Sequence, residues 1–308
     1  MKLGFLTACL PNVPLEELVK WAADHGFEAL EVAAWPIDNA RDYAGSSIDV
    51  ASLTPEESER IKRLFAENNL VISSLAYYDN NLHRDPEVRA RFHSHLKRVI
   101  DAARMLDVGL VGTFVGRNID RTVEENLEEY EKVFRDLVSY AESREVRLMF
   151  ENCPMEGWQK PGVPGNLAYS PELWRELFRL MPKGSVGLNL DPSHLHWLGI
   201  DYHAIIPEFK ERIFHTHAKD TEILKDGMNQ YGIYGRQLGP HIHGGGWWRY
   251  RMPGLGEIDW RDFVATLVEN GFDGTLSIEH EDPIYSGTEE MVKKGLVLAQ
   301  RHLAPLII

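Results

Sequence analysis

Four short apolar segments of the 308-residue chain each lead into side chains that can bind a metal ion. The segments end in Glu151-Asn152, Asp191-Pro192-Ser193-His194, His217-Ala218-Lys219-Asp220 and Glu279-His280-Glu281-Asp282. Buried carboxylates without a partner carry a large desolvation cost, and one divalent cation is the simplest shared partner for three acids and an imidazole. These four ends therefore predict a metal site.

Each of these segments is typical of a buried strand whose end carries the functional residue. The apolar runs are too short for globular helices, and polar or turn-forming residues follow them at once. Long amphipathic segments lie between them, so strands alternate with helices along the chain. This alternation predicts a parallel barrel, in which the carboxyl ends of the strands meet around one site. The expected fold class is α/β, a (β/α)8 TIM barrel.

The same alternation runs through the rest of the chain. Outside the four segments, strands are predicted over about 3–7, 29–32, 71–75 and 110–115. Helices are predicted over about 14–25, 54–68, 85–106, 122–143, 170–181, 202–209, 259–270 and 288–302. Thr54 and Pro55 are a typical helix start, because a threonine cap precedes a first-turn proline and two acids. The pattern contains eight strands and eight helices.

Two stretches do not fit regular elements. Residues 156–169 hold several glycines and prolines around Trp158 and are predicted to form a loop over the site. The stretch of about 218–258 is rich in glycine and aromatic residues and has no clear period. Loops of this length are usually functional, so we interpret it as a lid or a subunit contact. The prediction is one domain over residues 1–308 with this long βα insertion.

Composition narrows the choice of partners. Charged residues make up 26% and hydrophobic ones 44%, the balance of a globular protein with a sizeable core. The formal charge of −14 disfavours a phosphate backbone as the main partner. Two cysteines are too few for a disulfide framework, and no stretch approaches the ~20 apolar residues of a spanning helix. We expect a cytoplasmic protein without nucleic-acid or membrane partners, and leave a homo-oligomer open.

On these residues the chain resembles the sugar-phosphate isomerase/epimerase family, whose fold is the xylose-isomerase-like barrel. The resemblance covers nearly the whole chain and is most specific at Phe150-Glu151-Asn152, Asp191-Pro192-Ser193-His194, His217-Ala218-Lys219-Asp220, Pro253 to Trp260, and Leu276 to Glu281. The superfamily includes ketose 3-epimerases, inosose dehydratases, dehydroshikimate dehydratases and endonuclease IV. The resemblance implies the same barrel that the alternation of strands and helices predicts.

The resemblance also implies one metal ion held by Glu151, Asp191, His217 and Glu279 at the ends of the fifth to eighth strands. By the same resemblance, Glu151 and Glu279 double as an acid/base pair on opposite faces of the substrate. Two of these positions have an alternative, because residues two apart in a strand point to the same face of the sheet. Glu281 therefore faces the same side as Glu279. It is either the metal ligand in place of Glu279, or a residue that contacts the substrate or supports the ligand. His215 has the parity of His217, and the family pattern favours His217.

Further residues are candidates for substrate contacts. His194 matches the family's Asp-x-x-His motif, in which the histidine contacts a substrate oxygen. The alternative is a histidine that only orients Asp191. Lys219 and Arg251 are candidates for substrate contacts or for neutralising the intermediate, with a surface ion pair as the alternative for each. Trp158 can stack on the apolar face of a sugar or cover the core.

The ligand set indicates a type of chemistry. Three carboxylates and one imidazole favour Mn²⁺ or Mg²⁺, with Co²⁺ and Zn²⁺ as alternatives. Such an ion polarises a sugar carbonyl and acidifies the adjacent proton. Return of the proton gives epimerisation or isomerisation, whereas loss of a leaving group gives dehydration. The prediction is a metal-dependent isomerase or epimerase acting on a ketose or keto-sugar through an enediolate. The alternative is a lyase or dehydratase acting on a keto-sugar or inosose.

Two other functions receive less support. Enzymes of the endonuclease IV type gather three zinc ions with extra histidines after the third and fourth strands. Here these strands continue into Ala76 to Asn80 and Thr113 to Arg117, where no histidine occurs. Arg249 to Arg251 stands where their Asp-x-His pair is expected, although His241 and His243 lie upstream. A non-catalytic barrel is the remaining alternative, and elemental analysis for bound metal tests it.

Overall fold

The computed structural model describes residues 1–38, 45–158, 160, 162–182, 184–239 and 244–307. Its strands are β1 Lys2–Leu6, β2 Ala29–Ala33, β3 Val71–Asn80, β4 Leu110–Phe114, β5 Arg147–Glu151, β6 Val186–Leu190, β7 Ile213–Ala218, β8 Asp220–Ile223, β9 Trp248–Arg251 and β10 Thr275–Ile278. Eight of these described strands close a parallel barrel in the order β1-β10-β7-β6-β5-β4-β3-β2. The predicted (β/α)8 barrel is therefore confirmed.

Helices alternate with the barrel strands. They are α1 Leu15–Asp24, α2 Pro55–Glu67, α3 Pro86–Met105, α4 Val123–Glu142, α5 Pro171–Leu180, α6 Pro192–Trp197, α7 Ile206–Phe209, α8 Lys225–Tyr231, α9 Trp260–Glu269 and α10 Glu289–Leu303. The Thr54 hydroxyl accepts a hydrogen bond from the Glu57 amide, as its sequence context predicts for an N-cap. No helix within the described part of the chain is long and apolar enough to cross a membrane.

The core lies inside the barrel and between the barrel and its helices. Strand residues alternate between these two layers, and nearly all of them are buried. On the helix side, Phe150 of β5 packs edge-on against Tyr130 and Phe134 of α4, with ring centroids 6.1 and 5.1 Å apart. This apolar packing fixes each strand, and therefore fixes the side chains at its carboxyl end.

The structure corrects the prediction for the long insertion. Instead of a stretch without regular structure, it contains α8 and the antiparallel pair β8 and β9. The strands were missed because Trp248 to Arg251 alternate between buried and half-buried positions over only four residues. His241 and His243 lie outside the described residues. No observation tests the proposed single domain or the role of the insertion as a lid or subunit contact, and both stay predictions.

Two other boundaries differ from the prediction. Strand β3 continues five residues beyond the predicted end at Leu75, to Asn80, with an irregular register against β4. The helix predicted over 202–209 is only Ile206–Phe209, whereas the unpredicted α6 starts immediately after β6. Asp191 explains that early start, because its Oδ1 accepts a hydrogen bond from the Ser193 amide and Pro192 occupies the first helical position.

Candidate metal centre

Four potential metal ligands meet at the carboxyl ends of neighbouring barrel strands. Glu151 ends β5, Asp191 and Glu279 directly follow β6 and β10, and His217 lies near the end of β7. One nitrogen or oxygen atom from each residue lies within 4.8 Å of the corresponding atoms of the other three. The strand order β10-β7-β6-β5 brings these residues together, although 128 positions separate Glu151 from Glu279 in the chain.

The charge and hydrogen bonding of this group fit a cation. Asp191 and His217 are fully buried, and the Glu151 and Glu279 side chains are only 3% and 15% exposed. Among the described residues, Asp191 Oδ2 and His217 Nδ1 make no well-directed hydrogen bond, although Lys219 Nζ lies 3.3 Å from the first and Glu279 Oε2 lies 3.0 Å from the second. Three buried carboxylates with two such atoms form a donor set that a divalent ion would satisfy.

His217 is oriented by a glutamate on the opposite side of the barrel. Its Nε2 donates to Glu31 Oε2 at 2.8 Å, so Nδ1 is the nitrogen that faces the cluster, 3.0 Å from Glu279 Oε2. Glu31 also accepts hydrogen bonds from Tyr78 Oη at 2.6 Å and Ser277 Oγ at 3.0 Å. Burial alone would raise the Glu31 pKa, but the adjacent His217 and the hydrogen bonds lower it to about 2.

The other histidine of β7 belongs to a different layer of the barrel. His215 Nδ1 lies 3.0 Å from Asn189 Oδ1, and its Nε2 lies 3.0 Å from Ser73 Oγ. Burial lowers the pKa of His215 to about 4, so the ring is neutral near pH 7. The structure therefore brings His217 into the cluster and leaves His215 below it.

Lys219 is a buried cation beside the cluster. Its Nζ lies 2.7 Å from Glu279 Oε2, 3.1 Å from Glu281 Oε2 and 3.3 Å from Asp191 Oδ2. Burial lowers the Lys219 pKa, but the three carboxylates outweigh this effect and hold it well above its usual value. Burial and the charge of Glu279 raise the pKa of Glu281, which contacts Lys219 instead of joining the four-residue group.

His194 lies between two members of the cluster. Its Nε2 lies 2.9 Å from Glu151 Oε1 and 3.3 Å from Asp191 Oδ2. Its Nδ1 lies 2.8 Å from the hydroxyl of Tyr250. Both ring nitrogens therefore have protein partners. This arrangement is the one expected if His194 orients the acidic residues and does not itself contact the substrate.

The remaining predicted contacts lie further out. Arg251 Nε donates to Asp282 Oδ2 at 3.0 Å, and its Nη1 donates to Glu222 Oε2 at 2.6 Å. Trp158 packs edge-on against Phe114, with ring centroids 5.6 Å apart. It also lines a cavity of about 470 Å³ whose wall includes Asp79 and Asn80, at the carboxyl end of β3. Trp158 and this cavity therefore belong to the barrel face that carries the cluster.

Cys153 forms a second, smaller group with two of these residues. One ligand atom each from Glu151, Cys153 and His194 lies within 4.8 Å of the others. Burial and the negative charge of Glu151 raise the Cys153 pKa well above its usual value, so the group remains a thiol. Cys153 is a free, half-buried cysteine.

Sequence reasoning missed Glu31 and Tyr250. Glu31 carried one usable signal, because a charged residue stands in the middle of the apolar segment Ala29–Ala33 and is fully buried there. Tyr250 carried no signal of its own, since its partner His194 lies 56 residues away and the strand that holds it was not predicted.

The fold and the cluster together define a parallel barrel with a candidate metal centre at the carboxyl ends of its strands. A family model described as xylose isomerase-like TIM barrel matches residues 19–301, and the chain belongs to this family. The uncharacterised protein YfiH of Bacillus subtilis (strain 168) is 25% identical over 303 residues, which cover 92% of this chain and 93% of that protein. An inosose dehydratase of Clostridium botulinum (strain Eklund 17B) is 23% identical over 80% of this chain and 82% of its own length.

Solved structures support the same fold. The probable 3-DHS dehydratase AsbF of Bacillus anthracis superposes with a TM-score of 0.72 at 16% identity, covering 99% of each chain. The IOLI protein with a bound zinc atom gives 0.70 at 20% identity, covering 100% of this chain and 98% of that one. D-psicose 3-epimerase of Clostridium cellulolyticum H10, solved with D-tagatose, gives 0.69 at 14% identity over 100% and 99%.

Proposed function

We propose that the chain is a divalent-metal-dependent enzyme that moves the proton beside the carbonyl of a ketose or keto-sugar, as an isomerase or epimerase. The observation that carries this proposal is the buried group of Glu151, Asp191, His217 and Glu279 at the carboxyl face of the barrel. Active sites of this fold lie at that face. Membership of the xylose isomerase-like family and the fold shared with a D-psicose 3-epimerase support the proposal.

In this proposal the four residues hold one ion through three carboxylates and His217 Nδ1. When bound, the ion polarises the substrate carbonyl and acidifies the adjacent C–H group. The donor set is rich in oxygen, which favours Mn²⁺ or Mg²⁺. Zn²⁺ and Co²⁺ are the alternatives, and the zinc atom in the fold neighbour IOLI supports a divalent ion in general.

Glu151 and Glu279 are the proposed base and acid. Each carboxylate has its own donor, His194 Nε2 for Glu151 and Lys219 Nζ for Glu279. One carboxylate removes the proton beside the carbonyl, and the other returns a proton to the opposite face or to the neighbouring carbon. The donors hold the two side chains in place and leave the remaining oxygens for the ion and the sugar.

Other residues of the same face are proposed substrate contacts. Lys219 and Glu281 lie next to Glu279 and can bind a hydroxyl group or balance the charge of the enediolate. Trp158 can cover the apolar face of the sugar from the neighbouring cavity. Arg251 is a more distant candidate, because its guanidinium already contacts Asp282 and Glu222.

A dehydratase is the second candidate, because the relative from Clostridium botulinum is an inosose dehydratase and matches four fifths of the chain. The first step would be the same proton removal beside a carbonyl. Elimination then also needs a proton donor for the departing hydroxyl group. The Glu281 carboxyl group, whose pKa is raised by burial and by the charge of Glu279, can supply one.

Solvent isotope exchange tests both candidates in one experiment. The protein is incubated with Mn²⁺ and a panel of ketoses, keto-sugars and inososes in deuterated water, and products are followed by NMR and mass spectrometry. Deuterium uptake without loss of mass indicates isomerisation or epimerisation, and an unsaturated product indicates elimination. We expect Glu151→Gln and Glu279→Gln to lower the turnover by about 10²–10⁴-fold, since each removes a proton-transfer group.

The control variant is Glu208→Gln, which makes the same chemical change at an exposed ion pair with Arg175 outside the barrel. It is expected to keep the wild-type rate. Wild-type protein that binds metal but gives neither deuterium uptake nor elimination with any substrate of the panel contradicts both candidates. Protein that binds no divalent metal supports the non-catalytic barrel.

A further inference from the structure

The antiparallel pair β8 and β9 follows the carboxyl end of β7 and contacts the residues after β6. Thr221 of β8 pairs with Tyr250 of β9, and the Thr221 hydroxyl donates to the carbonyl oxygen of Ser193 at 3.1 Å. Tyr250 is only 7% exposed. The insertion therefore sends a buried tyrosine to the helix that begins after Asp191, beside Trp247 and Trp248, which pack on Trp197 of the same helix.

The partners of His194 determine which atom donates to which. Nε2 faces the carboxylates of Glu151 and Asp191. An ionised carboxylate can accept a hydrogen bond but cannot donate one, so Nε2 carries the proton. In a neutral imidazole the other nitrogen is then an acceptor. To a neutral His194 ring, the Tyr250 hydroxyl then donates at Nδ1, across 2.8 Å.

The Tyr250 ring makes two further contacts with the site. It meets the His194 ring edge-to-face, with centroids 5.4 Å apart and planes at 89°. The ammonium group of Lys219 lies over the same tyrosine ring, 4.5 Å from its centroid. One side chain thus touches both residues that donate to the proposed acid and base, Glu151 and Glu279.

We infer that Tyr250 is a positioning residue, which holds the His194 ring with its Nε2–H directed at Glu151 and keeps Lys219 beside Glu279. The expected effect on turnover rests on the proposed function, whereas the orientation of His194 and Lys219 by Tyr250 does not depend on that function. Through Tyr250, the insertion between β7 and α9 sets the orientation of groups that lie inside the barrel mouth. The active site is therefore incomplete without a strand from outside the barrel.

The test is the substitution Tyr250→Phe, which removes the hydroxyl group and keeps the aromatic ring. Full-length protein is labelled with ¹⁵N-histidine and measured with Mg²⁺, which is diamagnetic, and His194→Gln assigns the His194 signals. In the wild type we expect a protonated Nε2 and a hydrogen-bonded, unprotonated Nδ1. In Tyr250→Phe we expect the Nδ1 signal to shift and the ring signals to broaden, because the ring loses the bond that fixes it.

Turnover provides the second measurement, in the isotope-exchange assay described above. Loss of a residue that orients active-site side chains typically lowers activity by about 10–100-fold. Tyr250→Phe is therefore expected to lower kcat about tenfold with a smaller change in KM. Tyr140→Phe is the matched control, since it removes a hydroxyl bonded to Asp101 on the outer helices. Both of its measurements should equal those of the wild type.

The outcomes separate this inference from the proposed function. Unchanged His194 signals in Tyr250→Phe overturn the inference, and so does an unchanged kcat in an active enzyme. A wild-type protein without any turnover contradicts the proposed function alone, because the NMR measurement needs no sugar. In that case the shift of the His194 Nδ1 signal decides whether Tyr250 orients the ring.

Discussion

Glu151 and Glu279 occupy equivalent places at the ends of two strands, yet their surroundings differ. Glu151 accepts a hydrogen bond from an imidazole, and Glu279 lies against an ammonium group. The imidazole is also bonded to the Tyr250 hydroxyl, whereas the ammonium is stabilised in its charged form by three carboxylates. A proton-transfer pair that treats the two faces of a sugar differently needs such a difference between its members.

The carboxylate of Glu31 is expected to control metal affinity. In Glu31→Gln the charged acceptor of His217 Nε2–H is lost, so the ring is held less firmly and its Nδ1 becomes a weaker ligand. We expect the dissociation constant for Mn²⁺, measured by calorimetry, to rise about 10–100-fold. Ser277→Ala is the control, because it removes another hydrogen bond to the same oxygen but keeps the carboxylate. Equal affinities for the two variants would show that the charge of Glu31 has no part in binding.

At this scale, the sequence could predict residues whose role follows from their position at a strand end. Glu151, Asp191 and His217 each close an apolar run, and that pattern is local. Glu31 and Tyr250 act through partners that lie 186 and 56 residues away. Such pairs depend on which strands become neighbours or face each other in the barrel, and one sequence contains no local trace of that.

Among the elements, a buried carboxylate joins the start of the insertion to its end and to α9. Asp220, the first residue of β8, accepts hydrogen bonds from the Gly254 amide and the Trp260 indole on one oxygen and from the Ile258 amide on the other. A Cβ atom at Gly256 would lie 2.2 Å from Asp220 Oδ1, so only glycine fits there. The Pro253 to Trp260 motif therefore wraps around Asp220.

Asp220→Asn is expected to destabilise the protein without touching the metal ligands. In the wild type, both oxygens of Asp220 accept hydrogen bonds from buried N–H groups. Asparagine replaces one oxygen with an NH₂ group, so at least one buried donor loses its acceptor. At roughly 1–3 kcal/mol for each unsatisfied group, the free energy of unfolding should fall by about 3 kcal/mol in urea titrations. Asp226→Asn makes the same change at an exposed position of α8 and should alter it by less than about 0.5 kcal/mol. Similar values for both variants would contradict this role of Asp220.

The helices show how much the sequence could predict for whole elements. Thr54 and Thr122 cap α2 and α4 through local hydrogen bonds, so those helix starts can be read from a few adjacent residues. The helix α6 is not predicted, because it is only six residues long and its cap, Asp191, also has the position of a metal ligand at a strand end. β8 and β9 were missed because each spans only four residues, and each is stabilised by its pairing with the other.

For the whole molecule, barrel closure joins distant parts of the chain at one site. The pairing of β1 with both β2 and β10 brings Glu31 within reach of His217 and Ser277. The proposed metal centre therefore draws on β2, β5, β6, β7 and the residue after β10. An ion bound there links strands from both halves of the chain, and its binding is coupled to the stability of the closed barrel.

Metal binding is accordingly expected to raise the melting temperature. At a free Mn²⁺ concentration 100 times the dissociation constant, the folded state gains about 2.7 kcal/mol. For a chain of this size that corresponds to an increase of about 5 °C, which scanning calorimetry with and without EDTA would detect. The Glu279→Ala variant, which lacks one ligand, should show a much smaller increase. An equal increase in that variant would mean that Mn²⁺ binds elsewhere.

Lys219 gives the acidic cluster a positive charge that belongs to the chain itself. Without an ion, its ammonium group still neutralises part of the charge of Glu279, Glu281 and Asp191. We therefore expect the barrel to stay closed when the ion dissociates, so that the folded protein can exchange one ion for another. The metal found in the cell would then follow its local supply, and the same polypeptide could work with whichever divalent ion is abundant.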